Sequence, residues 1–226
     1  MVKSALTISM CFILLACSDN TEHAKSLVLS SLAEVRGVHF QNLENFPGNV
    51  VCGEYRNSDP MMSSSEFRRF IVVGDVANNR PSDDDWEIFC SSDPAAALQN
   101  RLGIGPLQNP ETQISQVRSD LEQIGAALKE YLADNFTLPT TAQGLSALAT
   151  ATTTPPLPRK FRTGGYLSTI PTDPWGRPYI YERSGLGGVA EEFKLYTLGA
   201  DGVAGGTGED ADVKIEHLKY LAFIDP

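Results

Sequence analysis

Three aspartates in a glycine-rich segment near the carboxyl end are the residues of this chain best suited to chemistry. Asp201 opens the segment, and Asp210 and Asp212 close it. The glycines beside and between them are Gly199, Gly202, Gly205, Gly206 and Gly208. Glycine lets a backbone turn sharply and direct carbonyls inward, whereas neighbouring carboxylates repel one another unless a cation joins them. Because Ca²⁺ takes carboxylate, carbonyl and water oxygens, the pattern predicts a calcium site within a single loop.

Residue content alone leaves a second interpretation open, an acidic surface loop without metal, because flexible polar loops are common. Other ion-binding patterns fit less well. A phosphate loop needs Lys and then Ser or Thr directly after its glycines, and no Lys follows before Lys214. The EF-hand spacing is missing. Residues 205–210 match the first half of a calcium β-roll repeat, but that architecture needs stacked copies.

The elements around this loop are predicted from residue patterns. Imperfect alternation of apolar and polar residues predicts a strand over residues 193–198, just before the loop. Residues 179–181 predict its antiparallel partner, and residues 213–215 predict a third strand. A helix is predicted from Asn109 to about Asn135. Its apolar residues recur every three or four positions and predict one buried stripe: Ile114, Val117, Leu121, Ile124, Leu128 and Tyr131.

The amino-terminal residues predict an export signal. Lys3 precedes an apolar segment, residues 5–15, that is too short to span a bilayer as a mature helix. Leu14-Leu15-Ala16-Cys17 follows and resembles the lipobox of bacterial lipoproteins, in which a peptidase cuts before the Cys and the Cys is acylated. An ordinary secretory signal with an incidental Cys is the alternative. The resemblance implies a signal peptide over residues 1–16 and a lipid-anchored tether over residues 17–23.

Two further expectations follow from this signal. Ser18 rather than Asp follows the acylated Cys, and by resemblance to enterobacterial sorting this implies the outer membrane, facing the periplasm, rather than the inner one. Of the four cysteines, Cys11 leaves with the signal and Cys17 is lipidated. Because an exported protein meets an oxidising compartment, we predict a disulfide between Cys52 and Cys90; two buried free thiols are the alternative.

Residues 24–103 predict a small α+β domain to which the sequence assigns no role. Helices are predicted over residues 24–35 and 93–102, the second with Asp93 as its amino-terminal cap. The predicted strands are short and separated by turn-forming residues: 38–40, 49–52, 67–73 and 86–90. The run Asp83–Asp85 is typical of a solvated turn. Residues 104–109 predict a linker, and residues 110–226 a second domain.

Composition and motif content exclude some functions. The chain has 28 acidic and 18 basic residues, so it offers no basic patch for nucleic acid. It has no HExxH or Gly-x-Ser-x-Gly motif and no Ser-His-Asp set, and paired acids in the predicted calcium loop would be neutralised by the ion. We therefore expect a protein that is not an enzyme.

Several motifs of the second domain occur in a fixed order: Leu138-Pro139-Thr140-Thr141-Ala142-Gln143-Gly144-Leu145, Gly165-Tyr166-Leu167, Ile170-Pro171, Asp173-Pro174-Trp175-Gly176-Arg177-Pro178-Tyr179, Leu198-Gly199-Ala200-Asp201-Gly202 and Glu209-Asp210-Ala211-Asp212. Together they resemble the periplasmic domain of the major pseudopilin of type II secretion systems, general secretion pathway protein G. The resemblance covers residues 114–215. It implies a long helix packed on a small antiparallel sheet, with one Ca²⁺ in the final loop.

The resemblance also implies a ligand set and a function. The side chains of Asp201, Asp210 and Asp212 would be calcium ligands, with the backbone carbonyls of Leu198 and Gly208. The chain differs from pseudopilins in its lipoprotein signal and in the extra domain, and it lacks their filament-forming helix. We therefore expect a lipid-anchored interaction component of a secretion or pilus-like machine rather than a polymerising subunit. The alternative is a stand-alone calcium-stabilised envelope lipoprotein.

Overall fold

The computed structural model describes residues 12–32, 37–57, 66–107, 109–185 and 191–224, with the backbone alone at 12–19 and 110–112. The chain divides into two compact units, Met1–Ala97 and Leu98–Pro226. Helices and antiparallel sheets occur in both units, which confirms the α+β class. In the described ranges, no helix combines the length and apolar character needed to cross a bilayer.

The first unit packs a helix, α1 (Phe12–Ser31), on a four-stranded antiparallel sheet. The strands follow one another in the sheet: β1 (Val38–Phe46), β2 (Val50–Asn57), β3 (Arg68–Val73) and β4 (Val76–Asn78). The buried core between helix and sheet contains Ala24, Val28, Val51, Tyr55, Phe70 and Val72. Strands were predicted at the positions of β1, β2 and β3, and β1 and β2 extend beyond them because antiparallel pairing continues to Phe46 and Asn57.

The helix α2 (Asp83–Phe89) replaces the strand predicted over residues 86–90, and that prediction is wrong. Ser82 is the reason: its hydroxyl accepts the N–H of Asp85 at 3.1 Å, and the Asp85 carboxylate accepts the N–H of Ser82 at 3.2 Å. This reciprocal pair starts a helix. The run Asp83–Asp85, predicted as a solvated turn, is its first turn, where negative charge complements the helix dipole.

Three other expectations for this part of the chain have clear outcomes. Cys52 and Cys90 form a disulfide with their Cα atoms 5.9 Å apart, which confirms the predicted pair. The backbone of α1 continues through residues 18–23, so the predicted tether is helical in the structure. The helix α3 (Pro94–Leu102) begins as predicted, with the Asp93 carboxylate accepting the N–H of Ala96 at 3.0 Å. The division between the units falls within α3.

The second unit is built on one long helix, α4 (Pro110–Asn135), as predicted. A short helix, α5 (Ser146–Ala149), follows, and the antiparallel sheet has the order β5 (Ile180–Ser184), β6 (Glu192–Thr197) and β7 (Val213–Lys214). The predicted α4 stripe is no more than 2% exposed at any of its six residues: Ile114, Val117, Leu121, Ile124, Leu128 and Tyr131. A 3₁₀ helix, Ile215–Phe223, packs on α4 at Gly125, where an added Cβ would lie 2.7 Å from Ile215 Cδ1.

Candidate functional site

The glycine-rich loop, residues 198–212, connects two paired strands of the second unit. Tyr196 and Thr197 at the end of β6 pair with Lys214 and Val213 of β7, so the loop is the connection of a hairpin. The N–H of Ala200 donates to the carbonyl of Glu209 at 2.7 Å and closes the loop at its base. A 3₁₀ turn, Gly208–Asp210, leads back into the sheet. The sequence therefore places this loop correctly between its strands.

Glycine is required at two points of this loop because the chain folds back on itself. A Cβ on Gly199 would lie 2.6 Å from the carbonyl oxygen of Glu209, and a Cβ on Gly206 would lie 2.4 Å from the carbonyl oxygen of Asp210. Both glycines have positive φ, at 66° and 80°. Larger residues at these points would therefore be strained and would push the two sides of the loop apart.

Loop N–H groups engage two of the three aspartates, Asp201 and Asp212. Asp201 is exposed, and its Oδ1 accepts the N–H of Val203 at 2.9 Å. Asp212 Oδ2 accepts the N–H of Gly205 at 3.1 Å. Across the described ranges, no three or more His, Cys, Asp or Glu side chains form a group that could hold a metal ion. Asp201, Asp210 and Asp212 are thus not gathered as a three-carboxylate site, because loop N–H groups hold two of them.

One atom of the loop fits a cation. Asp212 Oδ1 is buried and has no hydrogen-bond partner in the described part of the chain. A buried carboxylate oxygen without a donor is costly, and a cation bound to it would remove that cost. Of the predicted carbonyl ligands, Gly208 accepts the N–H of Ala211 at 3.3 Å, and Leu198 follows directly on β6.

The turn Asp173–Pro178 supports the start of this loop through Asp173. The Asp173 side chain is buried, and its Oδ1 accepts the N–H groups of Trp175 at 3.1 Å and Arg177 at 2.7 Å. Its Oδ2 accepts the hydroxyl of Thr197, the last residue of β6, which is fully buried. One carboxylate thus joins the turn to the strand that leads into the loop.

Arg177 of the same turn reaches the loop itself. Its Nη1 donates to the carbonyl of Gly199 at 3.3 Å. A Cβ on Gly202 would lie 2.6 Å from Arg177 Nε, so the guanidinium packs directly on the loop backbone. The sequence analysis assigned this turn no role at the loop. Its motif precedes the loop motif in the chain, and that order is the signal that relates them.

A connecting segment, residues 103–106, which we call the strap, also holds the loop. The carbonyl of Gly103 accepts the N–H of Gly208 at 2.8 Å, and a Cβ on Gly103 would lie 2.7 Å from the carbonyl oxygen of Gly206. Ile104 is buried. From the start of α4, Gln113 Nε2 donates to Glu209 Oε1 at 3.2 Å. Gly103, predicted as the last residue of the first domain, therefore belongs to the structure of the loop in the second unit.

The remaining predicted site residues lie in the first unit. Cys52 on β2 and Cys90 after α2 are joined, as described above. The backbone of Cys17 lies in α1, but its side chain is outside the described part of the structure. Its lipidation therefore stays a prediction.

Comparison with known proteins agrees with the motif order. The family "Type II secretion system (T2SS), protein G" matches residues 107–216. The type II secretion system core protein G of Pseudomonas aeruginosa is 44% identical over 103 residues, which cover 46% of this chain and 70% of that protein. The chain belongs to the type II secretion system protein G family.

A second core protein G and a solved pseudopilin structure are also similar to this chain. The core protein G of Vibrio cholerae is 46% identical over 95 residues, covering 42% of this chain and 62% of that protein. The crystal structure of the major pseudopilin of the type 2 secretion system of enterohaemorrhagic Escherichia coli is 37% identical, with a TM-score of 0.38. That match covers 44% of this chain and 82% of the pseudopilin. The family match begins after the strap, so residues 1–106 lie outside it.

Proposed function

We propose that this chain is a lipid-anchored, calcium-binding envelope protein that acts as an interaction component of a type II secretion system or a related pilus-like machine. The observation that carries the proposal is the match of the protein G family to residues 107–216, which contain α4, the Asp173 turn and the whole glycine-rich loop, together with the 44% identity to a core protein G over 103 residues. The relatives named above are components of a secretion system. We therefore expect binding to protein partners rather than catalysis.

Calcium binding is supported by the buried, unpartnered Oδ1 of Asp212. Asp210 and Asp212 would hold the ion with the carbonyls of Leu198 and Gly208, and Asp201 would join after leaving the N–H of Val203. Bound Ca²⁺ would neutralise the carboxylates and hold the two sides of the loop together. The proposal therefore requires that Asp201 is free to reorient, which its exposed position permits.

Titration of the purified mature chain with Ca²⁺ tests this site. A saturable heat of binding is expected, with stabilisation of about 2.7 kcal/mol when Ca²⁺ exceeds its dissociation constant a hundredfold. Asp212→Asn should abolish both effects. Asp75→Asn removes one charge from an exposed residue of the first unit and is the matched control. Identical melting of the parent chain in Ca²⁺ and in chelator would refute calcium binding.

Lipid anchoring is supported by the lipobox-like run that ends at Cys17. The expected location is the outer membrane, with the inner membrane as the second possibility. Incorporation of a labelled fatty acid into the parent chain and not into Cys17→Ser tests the anchor, and density separation of the membranes locates it. A Cys17→Ser chain that still takes up the label would contradict the assignment.

Recovery of partners from crosslinked envelopes separates the proposed function from its alternative. Capture of secretion-channel or pilus proteins by the parent chain, reduced by substitutions on the second unit, is expected for an interaction component. A chain that is anchored and binds calcium but captures none of these proteins would be a stand-alone envelope lipoprotein.

A further inference from the structure

One face of the sheet in the first unit is only partly covered. Successive residues of a strand point to opposite faces, so Val51 and Tyr55 of β2 pack against α1 while Cys52 and Glu54 point the other way. On that second face, α2 is joined to β2 by the disulfide. A cavity of about 240 Å³ lies beside it, lined by Asn42, Glu44, Phe46, Glu54, Trp86 and the disulfide. We call this cavity the disulfide pocket.

Neither carboxylate of the disulfide pocket, Glu44 or Glu54, forms an ion pair with a residue that the structure describes. Glu54 Oε2 accepts the side-chain amides of Gln41 at 2.7 Å and Asn42 at 3.1 Å, which are neutral donors. Glu44 makes no hydrogen bond or ion pair with the residues that the structure describes.

The nearest basic residue by strand register is engaged elsewhere. Arg69 lies opposite Glu54 in the pairing of β2 with β3. Its guanidinium contacts Asp83 at 3.4 Å and lies 4.9 Å from the centroid of the Trp86 ring. The pocket therefore combines two carboxylates that lack an ion pair among the described residues with the aromatic side chains of Phe46 and Trp86.

An irregularity of β1 shapes this pocket. The pairing with β2 passes from Gln41 opposite Glu54 to Glu44 opposite Cys52, so β1 contains a bulge. Asn42, inside the bulge, has a positive φ of 54°, which brings its amide to Glu54. Bulges redirect side chains and are frequent next to functional sites, and Asn is one of the few residues that tolerate this backbone conformation. A regular strand would not present these side chains in the same way.

We propose that the disulfide pocket binds a lysine side chain of a partner polypeptide. The ammonium group has three N–H donors that can reach two separate carboxylates, whereas a planar guanidinium suits a single carboxylate. The aliphatic stem would pack against Phe46 and Trp86. The volume is below that of ordinary small-molecule pockets and suits one long side chain. The inference depends neither on calcium nor on the lipid anchor.

Nuclear magnetic resonance titration of the purified, disulfide-bonded mature chain tests the site. The probe is the acetylated and amidated peptide Gly-Ser-Lys-Ser-Gly, and its matched control carries norleucine in place of lysine. The lysine peptide should shift the Asn42 amide and the Trp86 indole resonances saturably, and the norleucine peptide should not. Equal shifts with both peptides, or shifts spread evenly over all acidic residues, would overturn the proposal.

Charge-removing variants identify the residues responsible. Glu54→Gln and Glu44→Gln should each weaken binding about fivefold or more, because each removes one charged acceptor. Glu66→Gln removes the same charge from an exposed residue that does not line the pocket and should leave binding unchanged. Glu44 is exposed and makes no hydrogen bond or ion pair with any described residue, so its variant remains informative if Glu54→Gln melts early. If Glu66→Gln weakened peptide binding equally, the attraction would be non-specific and the site would be refuted. If butylamine bound as tightly as the peptide, a polypeptide ligand would be refuted.

Discussion

The two units hold their irregular segments by different means. In the first, a covalent bond between Cys52 and Cys90 fixes α2 to the sheet. In the second, separate hydrogen bonds hold the glycine-rich loop: Arg177 donates to Gly199, the strap accepts the N–H of Gly208, and Asp173 accepts the hydroxyl of Thr197 just before the loop. A disulfide acts mainly by restricting the unfolded chain, whereas each hydrogen bond contributes only about 1 kcal/mol and can open alone. The loop is therefore the segment that a ligand or partner can reorganise.

The largest effect is expected from removing the disulfide of the first unit. The variant Cys52→Ser/Cys90→Ser should destabilise the first unit by about 3–4 kcal/mol, because the cysteines are 38 residues apart in the sequence. Hydrogen exchange resolved along the chain should show lost protection in β2 and α2, while α4 keeps its protection. Equal loss of protection in α4 would show that the two units do not differ in this way.

The variant Asp173→Ala tests the hydrogen bonds that hold the glycine-rich loop of the second unit. The variant leaves the N–H groups of Trp175 and Arg177 and the Thr197 hydroxyl without their acceptor, at a cost of about 2–3 kcal/mol. Exchange should accelerate in β6 and in the glycine-rich loop. Asp201→Ala, measured in chelator, is the control, and we expect it to change the free energy of unfolding by less than about 0.5 kcal/mol because Asp201 is exposed. Similar effects of the two variants would contradict the role assigned to Asp173.

A smaller effect is expected from Ser82→Ala in the first unit. Loss of the capping hydroxyl should cost about 1 kcal/mol and increase exchange at the start of α2. The disulfide should keep α2 at the sheet, so the melting transition should remain cooperative. If Ser82→Ala destabilises the unit as much as the double cysteine variant, local capping rather than the disulfide holds this segment.

The smallest effect is expected in the pH dependence of the stability of the second unit, through Glu191. Burial would raise the pKa of Glu191, but the N–H of Leu138 and the guanidinium of Arg183 hold the pKa of this carboxyl below its ordinary value. A carboxylate with a depressed pKa stabilises the folded state above its unfolded pKa, and this stabilisation is lost as pH falls through the folded pKa. Below about pH 4.5 the second unit of the parent chain should therefore lose more stability than that of Glu191→Gln. If the stability of the parent chain and that of Glu191→Gln fell in parallel as pH is lowered, this prediction would be wrong.

Much of the fold could be predicted from the periodic spacing of apolar residues, where no local hydrogen bond favours a different structure. The stripe from Ile114 to Tyr131 specifies α4, and the alternation in residues 193–198 specifies β6. Residues 86–90 carry a strand-like pattern, yet the capping pair of Ser82 and Asp85 starts a helix just before them. A local hydrogen-bonded cap therefore decides the structure of a short segment more strongly than side-chain alternation does.

The site is less predictable than the fold because backbone donors compete for its side chains. Composition places Asp201, Asp210 and Asp212 in one loop, but it does not indicate that the N–H groups of Val203 and Gly205 engage two of them. Gly103 and its neighbours resemble a linker in composition, yet Ile104 is buried and Gly103 bonds to the loop. Contacts between segments more than 100 residues apart in the sequence leave no local pattern.

The strap has a practical consequence for anyone dissecting this protein. A recombinant fragment trimmed to the family match would start at residue 107 and would omit both Gly103 and Ile104. The N–H of Gly208 would then face water, and the loop would lose its contact with the strap. Titrations of such a fragment would test a looser loop than the intact chain has, so the cloning boundary should lie upstream of α3.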